Sequence, residues 1–159
     1  MKVANLILLT LTAALPIIPS ASAQATQQQP APYAQKLVND TLSKHPDVVI
    51  MAMHVTPPNG SDNVIIASNI GRIGKKADED DLRCIETGKS NLEVNKAGNH
   101  FEDELVLQDK AGNTIGALGV VFNYKSGDDK EKLAAAAERI RDELKAQIPS
   151  KEKLFEAAR

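Results

Sequence analysis

The stretch that most constrains this chain runs from Phe101 to Tyr124. Two β-type runs flank the polar turn Asp109-Lys-Ala-Gly112-Asn-Thr, and a glycine-containing turn between two such runs signals a hairpin. In the first run Phe101, Asp103, Leu105 and Leu107 fall on one side, and Glu102, Glu104, Val106 and Gln108 on the other. That run reads as half solvated. The second run is apolar on both sides, with Ile115, Ala117 and Val121 against Leu118, Val120 and Phe122. Such a strand is buried on both faces and lies inside a sheet. Gly116, Ala117 and Gly119 carry almost no side chain, and glycine weakens a strand unless the strand bends or something approaches it closely. The hairpin is therefore expected at the centre of the fold.

The rest of the chain supplies elements to surround it. Tyr33, Leu37, Val38, Thr41 and Leu42 recur at helical spacing until Pro46. Asp47 to Val55 and Val64 to Ser68 are β-type runs joined by the turn Pro57-Pro-Asn-Gly60, so they form an antiparallel pair. Asp78 to Thr87 reads as a short helix with acids in its first turn and Gly88 at its end. Leu92-Glu-Val94 is a short edge strand. Asp128 followed by Glu131 looks like a capping box, and Leu133, Ala137, Ile140 and Leu144 then form one apolar stripe as far as Pro149. Strands grouped between terminal helices predict an α+β fold, a single antiparallel sheet of about five strands with helices on one face.

The first 23 residues read as an export signal. Lys2 precedes the apolar run Val3 to Ile18, and Ala21-Ser-Ala23 offers small residues for cleavage. The run is short for a membrane span and is interrupted by Pro16, with Pro19 just beyond it. Cleavage would leave 136 residues from Gln24, enough for one core, and no insertion in a membrane afterwards. The expected divisions are a signal over 1–23, a flexible Gln/Pro/Ala leader over 24–32, one domain over 33–149 and a tail over 150–159, with Leu154 and Phe155 able to tuck back. The destination is the periplasm or the exterior. Setting aside Lys2 leaves 18 basic and 21 acidic residues, a balance that argues against electrostatic capture of nucleic acid. Cys84 is the single cysteine, so the domain is held by packing, with the thiol expected in the core.

Asp109, Gly112, the run Ile115-Gly-Ala-Leu-Gly119 and the strand to Phe122 resemble the last hairpin of extracytoplasmic PAS-like sensor domains of the single Cache type. The order of elements from Tyr33 to Ile148 is similar as well. The resemblance implies a five-stranded sheet with a small-ligand pocket on the face away from the long helices. It also implies that the segment after the second strand builds a wall of that pocket. Members of this family are usually tethered by transmembrane helices and joined to a signalling domain; this sequence has neither, which favours a free binding module or an accessory to a membrane-bound partner.

Four residues are the candidate ligand contacts: Arg72, Arg83, His54 and Asn69. By alternation His54 shares a side with Val48, Ile50 and Ala52, where an imidazole would suit an anion, a metal or haem iron, or else would be a strand-end histidine at the rim. The segment from Asn69 to Lys76 offers backbone N–H groups beside cations, which suits a carboxylate or phosphate, or is a solvated loop; it lacks the spacing of a P-loop. Arg72 and Arg83 are the candidate anion anchors. His45, His54 and His100 are not at ligand spacing, no C-x-x-C-H is present, and Asp78 to Asp81 lack a calcium-loop pattern, so neither a metal nor a cofactor is expected. Ser68, Ser90 and Cys84 have no flanking catalytic motif. The expectation is an exported, PAS/Cache-like, non-catalytic domain for sensing or binding a small molecule, a small carboxylate fitting best. Its rivals are an interaction module with a filled core and a small secreted enzyme.

Overall fold

A computed structural model describes residues 32–158. The proposed signal and nearly all of the leader lie outside the described residues. No described helix is long and apolar enough to cross a membrane. The elements follow in the order α1 (Tyr33–Lys44), β1 (Val48–Val55), β2 (Val64–Ser68), α2 (Glu79–Thr87), β3 (Asn91–Val94), β4 (His100–Gln108), β5 (Thr114–Asn123) and α3 (Lys130–Gln147), with a final 3-10 turn over Glu152–Phe155.

All five strands form one antiparallel sheet in the order β2-β1-β5-β4-β3. The hairpin β4–β5 is at its heart, and β5 is the middle strand. Its turn is organised by Asp109, whose carboxylate accepts the backbone N–H groups of Ala111 and Asn113 and the Asn113 side-chain amide. These donors hold the carboxyl below its usual range, the Asn113 side chain foremost. Gly112 lies in the left-handed region at φ 93°, which few side chains tolerate.

Alternation sorts the strand residues onto two faces. Met51 and Met53 of β1, Leu105 and Leu107 of β4 and Leu118 and Val120 of β5 join one apolar cluster with α1 and α3. Leu37 and Val38 come from α1, and Ala137, Ile140 and Leu144 from α3. Val48 belongs to this side too, although simple alternation puts it with Ile50. A register shift between Val48 and Ile50 pairs Val48 with Phe122 and reverses its direction.

The opposite face is covered in part by α2, which packs over β4 and β5. Asp78 caps this helix by accepting from Asp80 and Asp81 N–H, while the Asp81 side chain accepts from Asp78 N–H. Gly88 ends it in the left-handed region. β4 is not half solvated, because both of its faces are covered: Asp103 is 1% exposed on the side packed by α3, and Glu104 9% exposed on the side under α2. The polar alternation of β4 reflects a site and not a solvent face.

One boundary also differs from expectation. Asp129, not Asp128, caps α3 by accepting from Lys132 N–H; Asp128 instead accepts from Lys125 N–H in the preceding turn. The last ten residues include part of the core: Leu154 is fully buried, Tyr33 N–H donates to Glu156 O, and Pro32 bridges to Ala157.

Candidate functional site

The face beneath α2 contains a cavity of ≈ 180 Å³ whose floor is the sheet itself. Strand register sets out that floor in rows. Ile50, Val121 and Glu102 stand in one row, and Ala52, Gly119 and Glu104 in the next. The second row is hollow between β1 and β4 because Ala52 and Gly119 have little or no side chain. A methyl group built on Gly119 would meet nothing within 4 Å. His54 comes next along β1.

The walls come from outside the sheet. Asp78 and Asp81 descend from the start of α2, and Asn95 and His100 from the β3–β4 turn. Ile70, Arg72 and Lys75 come from the loop between β2 and α2. This loop folds back on β2, where Gly74 N–H donates to Ile65 O and Ile65 N–H to Lys75 O. Arg72 sits at its turn with φ 61°, between Gly71 and Gly74, which also have positive φ. A non-glycine residue in this region is uncommon and strained.

His54 and Asp81 meet at the bottom of the cavity. Their Nδ1 and Oδ1 atoms lie 2.5 Å apart, with side chains 12% and 2% exposed. The two atoms are close but lack hydrogen-bond alignment, and His54 Nε2 is also buried without a partner. His54 is thus not a rim residue. Glu104 accepts from the Asn91 side-chain amide, while the Asn91 carbonyl accepts from Arg83. Burial pushes the Glu104 carboxyl up to about 8, with repulsion from Asp81 adding to it. Glu102 is raised as well, first by burial and then by Glu93 and Asp78.

Of the four residues singled out in the sequence, His54 and Arg72 line the cavity and Asn69 and Arg83 do not. The Asn69 side chain bridges β1, accepting from Met51 N–H and donating to Val49 O. Arg83 is on the outer side of α2, bonded to Asp80 and Asn91, because its helical position points away from the sheet. It reaches the cavity only through Asn91. The sequence does not mark the acids as site residues. Glu102 and Glu104 read there as a solvent face, and Asp81 as a helix start. The one available signal was their placement beside the small residues of β5.

Cys84 is fully buried and donates to Glu104 O. Burial and the nearby carboxylates push the thiol up to about 11, so it remains protonated near neutrality. Asp78, Asp80 and Glu104 place carboxylate oxygens within 4.8 Å of one another, but Asp80 is engaged by Arg83.

No protein-family model matches the sequence, and comparison with curated proteins finds no match. Solved structures do match. The type II free methionine-R-sulfoxide reductase of Thermoplasma acidophilum has a TM-score of 0.51 at 13% identity, covering 79% of this chain and 93% of that one. The GAF domain region of a Geobacter sulfurreducens PCA protein has a TM-score of 0.50 at 16% identity, covering 71% and 87%. At such identities the likeness is one of fold. The chain has a GAF-like α+β architecture, with its candidate site on the sheet face opposite α1 and α3.

Proposed function

We propose that this chain is an exported sensory or binding module of the single Cache type that holds a small organic acid beneath α2. The observation that carries the reading is the hollow row Ala52–Gly119–Glu104, a cavity floored by the sheet and walled by charged groups from α2 and two loops. Binding sites are concave, with an apolar floor and a few polar groups that orient the ligand. Arg72 and Lys75 would receive the carboxylate, since guanidinium can bond both oxygens in a fork. The open volume weighs against a core filled by its own side chains. A signal would pass from the occupied domain to a membrane-bound partner, and nucleic acid has no part in it.

Mass spectrometry under native conditions, on protein purified from its own host, tests occupancy directly. A retained small acid is the expected result. A thermal-shift screen of organic acids and amino acids is the companion test, because a ligand that binds only the folded state raises its melting temperature. Arg72→Ala should abolish the shift. A screen with no response would refute ligand binding. N-terminal sequencing should return Gln24; recovery of Met1 would refute export.

The contact between His54 and Asp81 favours a second reading, an enzyme using His54 as general base. Against it, no serine, threonine, tyrosine or cysteine lines the cavity among the described residues, so a hydroxyl or thiol nucleophile is lacking there. Turnover of a bound compound that disappears in His54→Ala would establish that reading.

A further inference from the structure

We propose that the cavity takes a small zwitterion, an amine-bearing carboxylic acid such as a free amino acid, with its ammonium group against Glu102 and Glu104 and its carboxylate against Arg72 and Lys75. This rests on the cavity being a ligand site and specifies what that site selects.

Acidic and basic groups line the cavity without oppositely charged partners in the protein. Among the described residues neither Glu102 nor Glu104 forms an ion pair, and the Glu104 side chain bonds only the Asn91 amide. Arg72 and Lys75 form no ion pair either, although both line the same hollow. Opposite charges that face one space without meeting are held apart by the fold. The cationic loop hangs from β2 and the two glutamates stand on β4, three strand spacings across the sheet, about 14 Å between backbones. The long side chains shorten that gap from both ends and leave room for a compact ligand.

The two ends differ in depth. Arg72 and Lys75 are exposed, whereas Glu104 is 9% exposed and Glu102 half-buried. A plain carboxylate would satisfy the rim and leave the deeper acids without a cationic partner, so that burial keeps Glu104 protonated. A plain amine would do the reverse. One molecule carrying both groups completes both ends, and a buried charge gains most from a bonded partner.

His54 and Asp81 also line the cavity, but they face each other across 2.5 Å. The charges of a ligand are therefore met at the two ends.

The test uses the full mature chain and a panel of free amino acids. Each amino acid is paired with its deaminated acid and its decarboxylated amine, and binding is read by calorimetry and melting temperature. The expected result is at least one amino acid that binds about tenfold or more tightly than both of its analogues. Glu102→Gln and Glu104→Gln, which preserve shape, should remove that preference while leaving the weak response to the acid analogue. If an acid analogue binds as tightly as its amino acid, the zwitterion proposal fails while acid binding stands. If an amine, or calcium or magnesium alone, binds as tightly, the role given to Arg72 and Lys75 fails. If nothing in the panel binds, the ligand site itself is refuted. The analogue comparison is made on the unsubstituted chain, so it decides the matter even if a glutamine variant misfolds.

Discussion

The two faces of the sheet are made by the same strands and do opposite things. Toward α1 and α3, β1, β4 and β5 present Met51, Met53, Leu105, Leu107, Leu118 and Val120, all fully buried in one apolar cluster. Toward α2 the same strands present His54, Glu102, Glu104 and Gly119 around a cavity. A shift of one residue along a strand exchanges the two roles. The fold therefore separates stability from recognition by parity, and substitutions on the two faces should have different consequences.

The largest effect is expected on the packed face. Ile140 of α3 is 1% exposed within the cluster. Ile140→Ala should destabilise the domain by about 2–5 kcal/mol, because a buried side chain is lost and the space is only partly refilled. Chemical denaturation measures this. An unchanged midpoint would mean that α3 is not docked on the sheet.

Gly116→Ala is expected to be next in size. A methyl group here would overlap the His54 carbonyl oxygen and press on Val55 of the neighbouring strand. Since backbone cannot swing aside as a side chain can, a loss of about 1–3 kcal/mol is expected. The same denaturation experiment checks it, and a neutral result would show that β1 and β5 are less closely apposed.

The packed face has one flaw, Asp103, which is 1% exposed and has no hydrogen bond to either carboxylate oxygen. Burial pushes its carboxyl up to about 7; Glu138 raises it further and Arg141 opposes. Glu104, on the other face, is pushed to about 8. Both values lie above the ordinary 3.8 and 4.5, so the stability these groups lend is complete below those values and is lost as pH rises through about 7 and 8. The melting temperature should fall between pH 5 and pH 9. Asp103→Asn should flatten the lower part of that fall, with its largest gain at or above pH 8. Parallel profiles for the two proteins would show that Asp103 does not titrate in this range.

The packed face was far more legible in the sequence than the cavity. Its rule is local: Leu133, Ala137, Ile140 and Leu144 repeat at helical spacing, and β5 is apolar throughout. The cavity depends on contacts between distant positions. His54 meets Asp81 only because α2 lies across the sheet, and Glu104 is buried and Glu102 half-buried for the same reason. Alternation alone cannot distinguish a carboxylate facing water from one facing a cavity. The register shift after Val48 was equally hidden, since no glycine or proline marks it. Arg83 was placed by proximity in sequence, whereas its helical position turns it outward to Asp80 and Asn91. Cys84 did reveal itself, as a small apolar residue buried in the core. A thiol reagent should label it only after denaturation, and rapid labelling of the folded protein would contradict its burial.

The smallest effect on stability separates the two faces most clearly. Gly119 lies three residues beyond Gly116 in β5, on the opposite side of the sheet. Its backbone is outside the positive-φ region, and a methyl group there would meet nothing within 4 Å. Alanine at this position restricts the unfolded chain without straining the folded one, which stabilises by about 0.4–1 kcal/mol. The same methyl group enters the cavity beside Ala52 and Glu104 and takes space from whatever binds there. Gly119→Ala should thus leave the melting temperature of the unliganded protein equal or slightly higher while weakening its response to ligand, and Gly119→Val should weaken that response further. Gly116→Ala should lower the unliganded melting temperature instead. Thermal shifts with and without ligand, run side by side on the three variants, give the answer. Loss of stability in Gly119→Ala would mean that the cavity face is packed after all, and an undiminished ligand response in Gly119→Val would place the binding site elsewhere.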